Sequence, residues 1–75
     1  MSPIYLDQPD LIEYTILHST RLAYRRKYFR KPLSSEETAG FNALTKELNT
    51  FITYLQIKYG FIEYTEITYD GEVII

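Results

Sequence analysis

The sequence contains no cysteine, no tryptophan and a single histidine, and these gaps exclude several kinds of site. Without cysteine the chain forms neither a disulfide nor a thiolate zinc centre. A cysteine-free chain fits a reducing compartment, and we expect a cytoplasmic protein. The positions three and four residues from His18 hold tyrosine, threonine, arginine and leucine, none of which is a good zinc ligand. We therefore expect no metal site, and a partly buried, hydrogen-bonded core histidine rather than a catalytic base.

Glycines and catalytic motifs are also scarce. The three glycines, at positions 40, 60 and 71, form neither a phosphate-binding loop nor a dinucleotide fingerprint, so we expect no cofactor. No serine, threonine or lysine lies in a recognised nucleophile motif, and no pair of carboxylates demands acid–base chemistry, so we expect no enzyme. No apolar run approaches the roughly 18 residues of a membrane span, and the stretch Met1–Asp7 does not resemble a signal peptide.

The chain is short, and its length limits the stability that a core can supply. Its 75 residues allow one small domain, residues 1–75. Such a domain buries a modest fraction of its surface, and small domains often gain stability from disulfides, metals or self-association. Only self-association remains here. Eight tyrosines and four phenylalanines are many for this length, and tyrosine is common at interfaces.

The stretch from Ser34 to Gly60 predicts one long helix with both ends marked. Ser34 and Glu37 have the spacing of a capping box, and Gly60 is suited to the left-handed residue that ends a helix. Apolar residues between these ends recur at steps of three and four, which places them on one stripe. We expect this stripe to face the core; it comprises Phe41, Leu44, Leu48, Phe51, Ile52, Leu55 and Tyr59.

An earlier helix is predicted from about Pro9 to Arg30, with acids near its start and bases near its end, as the helix dipole favours. Its apolar residues fall on three faces instead of one. The first face has Leu11, His18, Leu22 and Phe29, with Tyr14 at its margin; the second has Leu17, Tyr24 and Tyr28; the third has Ile12, Ile16 and Ala23. One partner helix cannot cover three faces, so we expect a second copy of the chain.

The rest of the chain predicts a small sheet. The link Arg30–Ser34 is short, which favours an antiparallel helix hairpin. After Gly60 the apolar period changes to two, and Asp70-Gly71 predicts a type I′ turn between strands within Phe61–Tyr69 and Glu72–Ile75.

Pairing of the returning strand with about Glu66–Tyr69 would leave Phe61–Thr65 free for Pro3–Leu6 or for another molecule. Ser2–Leu6 is a candidate edge strand, since proline is tolerated there. The fold class is therefore α+β: a two-helix antiparallel hairpin packed on a small antiparallel β-sheet.

Charge is unevenly distributed along the chain. Residues 21–31 carry six of the eight basic residues and no acid, whereas the rest of the chain has ten acids and two bases. On a helix Arg26, Lys27, Arg30 and Lys31 share a broad arc, while Arg21 and Arg25 lie on another side. The candidate partner-binding residues are Tyr24, Arg25, Arg26, Lys27, Tyr28, Arg30 and Lys31.

This basic, aromatic stretch supports two functions. Arginine and tyrosine are typical hot spots for a protein partner. Cations interleaved with aromatic rings also suit phosphate contacts with base stacking. Because the domain is acidic overall and nucleic-acid binders usually have a basic balance, we favour a non-enzymatic, regulatory protein-interaction module that forms a homodimer. Nucleic-acid binding through residues 21–31 is the alternative. A third possibility is that these bases complement the helix dipole or meet acids of a second, antiparallel helix.

Overall fold

The computed structural model describes residues 3–75, so the expectations at Met1 and Ser2 lie outside the described residues. Two long helices form most of the molecule. They are α1 (Gln8–Arg30) and α2 (Ser35–Tyr59), joined by four residues and packed antiparallel. Three short strands complete the fold, β1 (Ile4–Tyr5), β2 (Glu66–Ile67) and β3 (Glu72–Ile74). The α+β class, with a helix hairpin on a small antiparallel sheet, is confirmed.

Both predicted ends of α2 are confirmed. The Ser34 hydroxyl accepts a hydrogen bond from the Glu37 N–H, and the Glu37 carboxylate accepts one from the Ser34 N–H, each 3.1 Å long. At the other end Gly60 adopts a left-handed conformation, with φ of 76°, and its N–H donates to the Gln56 carbonyl. Because these local bonds satisfy groups that a helix end leaves unpaired, short-range sequence is enough to place the ends.

The apolar stripe of α2 faces the core as expected, except at Phe41, which packs against Tyr24 near the start of the helix. Leu48 and Leu55 are buried, and Leu55 has no exposed surface at all. They pack with Tyr14 and Leu17 of α1 and with three residues from the strands and loops. The other core residues are Leu6, Phe61 and Val73, with Leu44, Phe51, Ile52 and Tyr59 packed against them.

The three apolar faces of α1 have different environments. Tyr14 and Leu17 are buried in the core, and Leu11 packs against the same core. On the third face Ile12 and Ile16 are 51% and 56% exposed. The first and second faces also become exposed beyond the sheet, where Tyr28 and Phe29 are open to solvent. One copy of the chain therefore leaves much apolar surface of α1 uncovered.

The sheet has the order β1-β3-β2 with both pairings antiparallel. The predicted edge strand exists, but it pairs with β3 instead of with residues 61–65. That segment is a loop, because Phe61 turns inward and is buried in the core. Only Thr65 at its end joins the sheet, donating its N–H to the Ile74 carbonyl at 2.6 Å.

The C-terminal β-hairpin is confirmed, but the predicted type I′ turn is wrong. Ile67 pairs with Val73, and Thr68 donates its N–H to the Glu72 carbonyl, so three residues, 69–71, form the loop. A type I′ turn needs positive φ at two successive residues, whereas only Gly71 has one here, at 93°. The Thr68 hydroxyl binds the Asp70 carboxylate and accepts the Glu72 N–H, which stabilises the longer loop.

We expect Leu55→Ala to lower the free energy of unfolding by about 2–5 kcal/mol, because it empties a fully buried core position. Ile57→Ala is the matched control on the same helix. Ile57 is 81% exposed, so its truncation should change stability by less than about 0.5 kcal/mol. Urea unfolding followed by circular dichroism measures both. Equal losses would contradict the core described above.

Candidate functional site

The two ends of the helix hairpin differ in charge and in packing. The end that carries the sheet, called the sheet end, has seven carboxylates against Lys58, a net charge of −6. These are Asp7, Asp10, Glu13, Glu63, Glu66, Asp70 and Glu72. The opposite end, called the tip, comprises residues 24–41. It has five cations, within residues 25–31, and two carboxylates, those of Glu36 and Glu37, which gives a net charge of +3.

At the sheet end the Asp10 carboxylate joins the two helices. Asp10 is in the first turn of α1 and is only 7% exposed. Its oxygens accept hydrogen bonds from Tyr59 Oη at 2.6 Å, Lys58 Nζ at 2.8 Å and Tyr54 Oη at 3.1 Å. Tyr59 Oη also accepts the Asp7 N–H at 2.8 Å. We call these residues, Asp10, Tyr54, Lys58 and Tyr59, the carboxylate cluster.

The carboxylate cluster is built to hold the helices together. Burial alone raises the pKa of Asp10, but hydrogen bonds from Lys58, Tyr59 and Tyr54, with the Lys58 charge, bring it below the ordinary value of 3.8. Hydrogen bonds to Asp10 and Tyr54 raise the pKa of Lys58. Asp10 and Lys58 are therefore ionised and paired at neutral pH. Sequence reasoning missed this cluster, although an acid in a first turn and the Tyr54-Lys58-Tyr59 spacing hinted at it.

At the tip, the seven predicted partner-binding residues do not share one role. Tyr24 is half-buried, and its ring meets the Phe41 ring edge-on with centroids 6.0 Å apart. Gly40 leaves room for it, since a Cβ there would come within 2.8 Å of Tyr24 Oη. Lys27 forms an ion pair with Glu37 that links the last turn of α1 to the first of α2. Tyr24 and Lys27 therefore have structural roles at the tip.

The Lys27–Glu37 pair is coupled to the start of α2. Two hydrogen bonds to the Glu37 carboxylate lower its pKa to about 2. The bond from Lys27 has the larger effect, and the bond from the Ser34 N–H of the capping box has the next largest. Lys27 remains half exposed, with 52% of its side chain accessible. An exposed ion pair of this kind adds little stability, so the tip is held less firmly than the sheet end.

Two of the remaining candidates, Arg25 and Tyr28, line an apolar cleft at the tip. The cleft has a volume of about 420 Å³ and lies where α1, the connecting loop and α2 meet. Its walls are mainly aromatic and aliphatic, with Arg25 and Thr38 as the polar members; the apolar members are Tyr24, Tyr28, Phe29, Pro32, Leu33 and Phe41. An adjoining depression of about 390 Å³ is bordered by Arg30 and Lys31. Arg26 is exposed and lines neither space.

His18 is half-buried and its ring stacks on Tyr14, with centroids 5.3 Å apart and planes inclined by 12°. The expected partly buried position is confirmed, whereas the contact seen for the ring is stacking and not the expected hydrogen bond. Among residues 3–75 there is no group of three or more histidine or acidic side chains placed to hold a metal ion. Within the same residues, neither helix has a stretch apolar enough to cross a bilayer.

Comparison with protein-family models, curated proteins and solved structures gave no match to this chain.

We expect Asp10→Asn to destabilise the fold by about 1–3 kcal/mol at neutral pH, because the buried side chain loses its charge-assisted bonds to α2. The folded chain lowers the pKa of Asp10, so its contribution is complete above about pH 4 and is lost as the pH falls below that value. Thermal melting between pH 7 and pH 2 should show a shallower acid decline in the variant. Some decline should remain, since Glu37 titrates near pH 2.

The control is Asp7→Asn. Asp7 caps α1 without a side-chain cap bond, is exposed, and lies 3.3 Å from Lys58 Nζ. Asparagine is an equally good capping residue, so little change is expected. If both variants melted alike, Asp10 would not be the main link between the helices.

Proposed function

We propose that this protein is a non-enzymatic, regulatory interaction module of the cytoplasm that acts as a homodimer and binds a protein partner at the tip. The partner segment is acidic and carries an aromatic or aliphatic side chain that enters the tip cleft. One observation carries the proposal: an apolar cleft of about 420 Å³ lies beside the main cluster of exposed cations in the described chain.

Large apolar side chains are exposed at the tip. Phe29 is 82% exposed and Tyr28 is 62% exposed, although each borders the cleft. Aromatic surface of this kind is costly to leave in water and supplies large contact area in a complex. Leu33 and Phe41 line the cleft and are half-buried, so an inserted side chain would meet an apolar wall.

The exposed cations at the tip support an acidic partner. Arg25 lines the cleft, and Arg30 and Lys31 border the depression next to it, all with exposed side chains. Complementary charge at the edge of an interface raises the association rate and selects the partner more than it adds affinity. Arginine and tyrosine beside an apolar pocket are also the residues that dominate binding energies in measured interfaces.

Nucleic-acid binding remains the alternative, and the tip supports it less well. Tyr24 is half-buried and packs edge-on against Phe41, so it offers less ring surface for base stacking. At the tip the exposed rings are those of Tyr28 and Phe29, and their planes are inclined by 67° to each other. The net charge of −2 also opposes a polyanion.

A displayed library of short random peptides tests the proposal directly. We expect selection on the native protein to enrich sequences in which aspartate or glutamate flanks an aromatic or aliphatic residue. Binding of a selected peptide should weaken as salt rises, because the cations of the tip act through screened charge. The double variant Arg25→Glu with Lys31→Glu should weaken it by roughly tenfold, which corresponds to 1.4 kcal/mol.

The matched control is Lys46→Glu, which reverses an exposed charge in the middle of α2. It should leave peptide binding within about twofold, and all three chains should melt at similar temperatures, because exposed charges contribute little to stability. Enrichment of no acidic motif would contradict the proposal. Salt-dependent binding of a single-stranded oligonucleotide, lost in the double variant, would support the alternative.

A further inference from the structure

We propose that the homodimer forms through α1, which pairs antiparallel with α1 of a second copy about a two-fold axis near Ser19. This inference rests on the proposed homodimer and deepens it, and its tests need no ligand at the tip cleft. It rests on the exposed third face of α1 and on the opposite charges at the two ends of the molecule.

The third face of α1 points away from α2. At about 100° per residue, Ile16 and Ala23 lie opposite the buried Tyr14. Ile12 and Ile16 are more than half exposed, and they border a groove of about 480 Å³ that reaches Ile67 of β2 and Tyr69 of the hairpin loop. Tyr69 is fully exposed, so the apolar surface continues from the helix onto this loop.

Charge identifies a second copy as the occupant. Asp7 and Glu13 lie exposed at the start of α1, and the whole sheet end has a net charge of −6. The last turns of α1 carry the cations of the tip, which has a net charge of +3. Antiparallel pairing places each negative end beside the positive end of the other copy, and it also opposes the two helix dipoles.

Other arrangements fit these charges less well. A parallel pair would place seven carboxylates against seven, and like charges at close range are strongly unfavourable. A head-to-tail arrangement would satisfy charge but would leave Ile12 and Ile16 uncovered and would not close. A two-fold axis near Ser19 gives the greatest overlap of α1 with itself, since Gln8 and Arg30 are equally distant from it.

The residues at the middle of the face suit close contact. Ser19 and Ala23 are small and exposed, so two helix axes can approach closely there. In this arrangement Ile16 packs near Ala23 of the other copy, and Ile12 packs along the aliphatic stems of its basic residues. The tip cleft lies between the helices on the other side of α1, and it stays open in the dimer.

Single cysteine variants test the axis, because the native chain has no cysteine to interfere. Under mild oxidation, Ser19→Cys should form a covalent dimer efficiently, since a disulfide needs Cα atoms within about 7 Å. Gln8→Cys and Arg30→Cys should not, since the antiparallel arrangement separates each residue from its copy by about 33 Å at 1.5 Å per residue. Cross-linking at Gln8 in place of Ser19 would overturn the antiparallel arrangement while leaving a homodimer.

Sedimentation at micromolar concentration tests the face itself. The native chain should have about twice its monomer mass, and the double variant Ile12→Asp with Ile16→Asp should be a folded monomer. The matched control, Ile57→Asp with Ile62→Asp, replaces two isoleucines that are 81% and 86% exposed elsewhere, and it should remain a dimer. Loss of the dimer in both double variants would overturn the assignment of this face.

Salt and the native mass complete the test. Raising ionic strength should weaken the native dimer several-fold, because the charges at its ends are screened. A native chain that sediments as a monomer would overturn both the interface and the homodimer. Peptide selection at the tip would still proceed on that monomer, so its outcome is separate from this one.

Discussion

The buried carboxylate of Asp10 is the contact on which the arrangement of the helices depends. It lies in the first turn of α1 and receives hydrogen bonds from three side chains at the end of α2. A buried charge is tolerated only where its hydrogen bonds are satisfied. Keeping the Asp10 bonds therefore fixes the position of α1 relative to α2 along the helix axes. The strand β1 lies just before this turn in the chain and pairs with β3.

The opposite end of the hairpin is held by weaker interactions. The Lys27–Glu37 pair and the Tyr24–Phe41 contact join the helices, but the side chains around them remain largely exposed. The sheet does not extend to the last turns of α1, so it leaves the aromatic side chains of Tyr28 and Phe29 exposed. Buried packing and side-chain hydrogen bonds are thus concentrated at one end, and open apolar surface lies at the other.

Two separate surfaces of α1 follow from this asymmetry. The cleft beside Tyr28 and Phe29 lies between the helices, whereas Ile12 and Ile16 lie on the outer face. An amphipathic helix needs one apolar stripe, whereas α1 has apolar residues on further faces. The proposed partner binding and the proposed pairing of two copies would therefore use different surfaces of this helix.

Some features of the fold follow from interactions between residues that are close in the chain, and these could be predicted from the sequence. Ser34, Glu37 and Gly60 fix the ends of α2, and the stripe around Leu55 identifies its core face, because caps and periodicity act over a few residues. Tertiary structure alone decided which strand β1 joins, that Phe61 is buried and that Asp10 links the helices. The tip was predicted as basic and aromatic, but its cleft and the separate roles of Tyr24 and Lys27 depend on the facing helix. Such contacts join residues distant in the chain, and no local pattern specifies them.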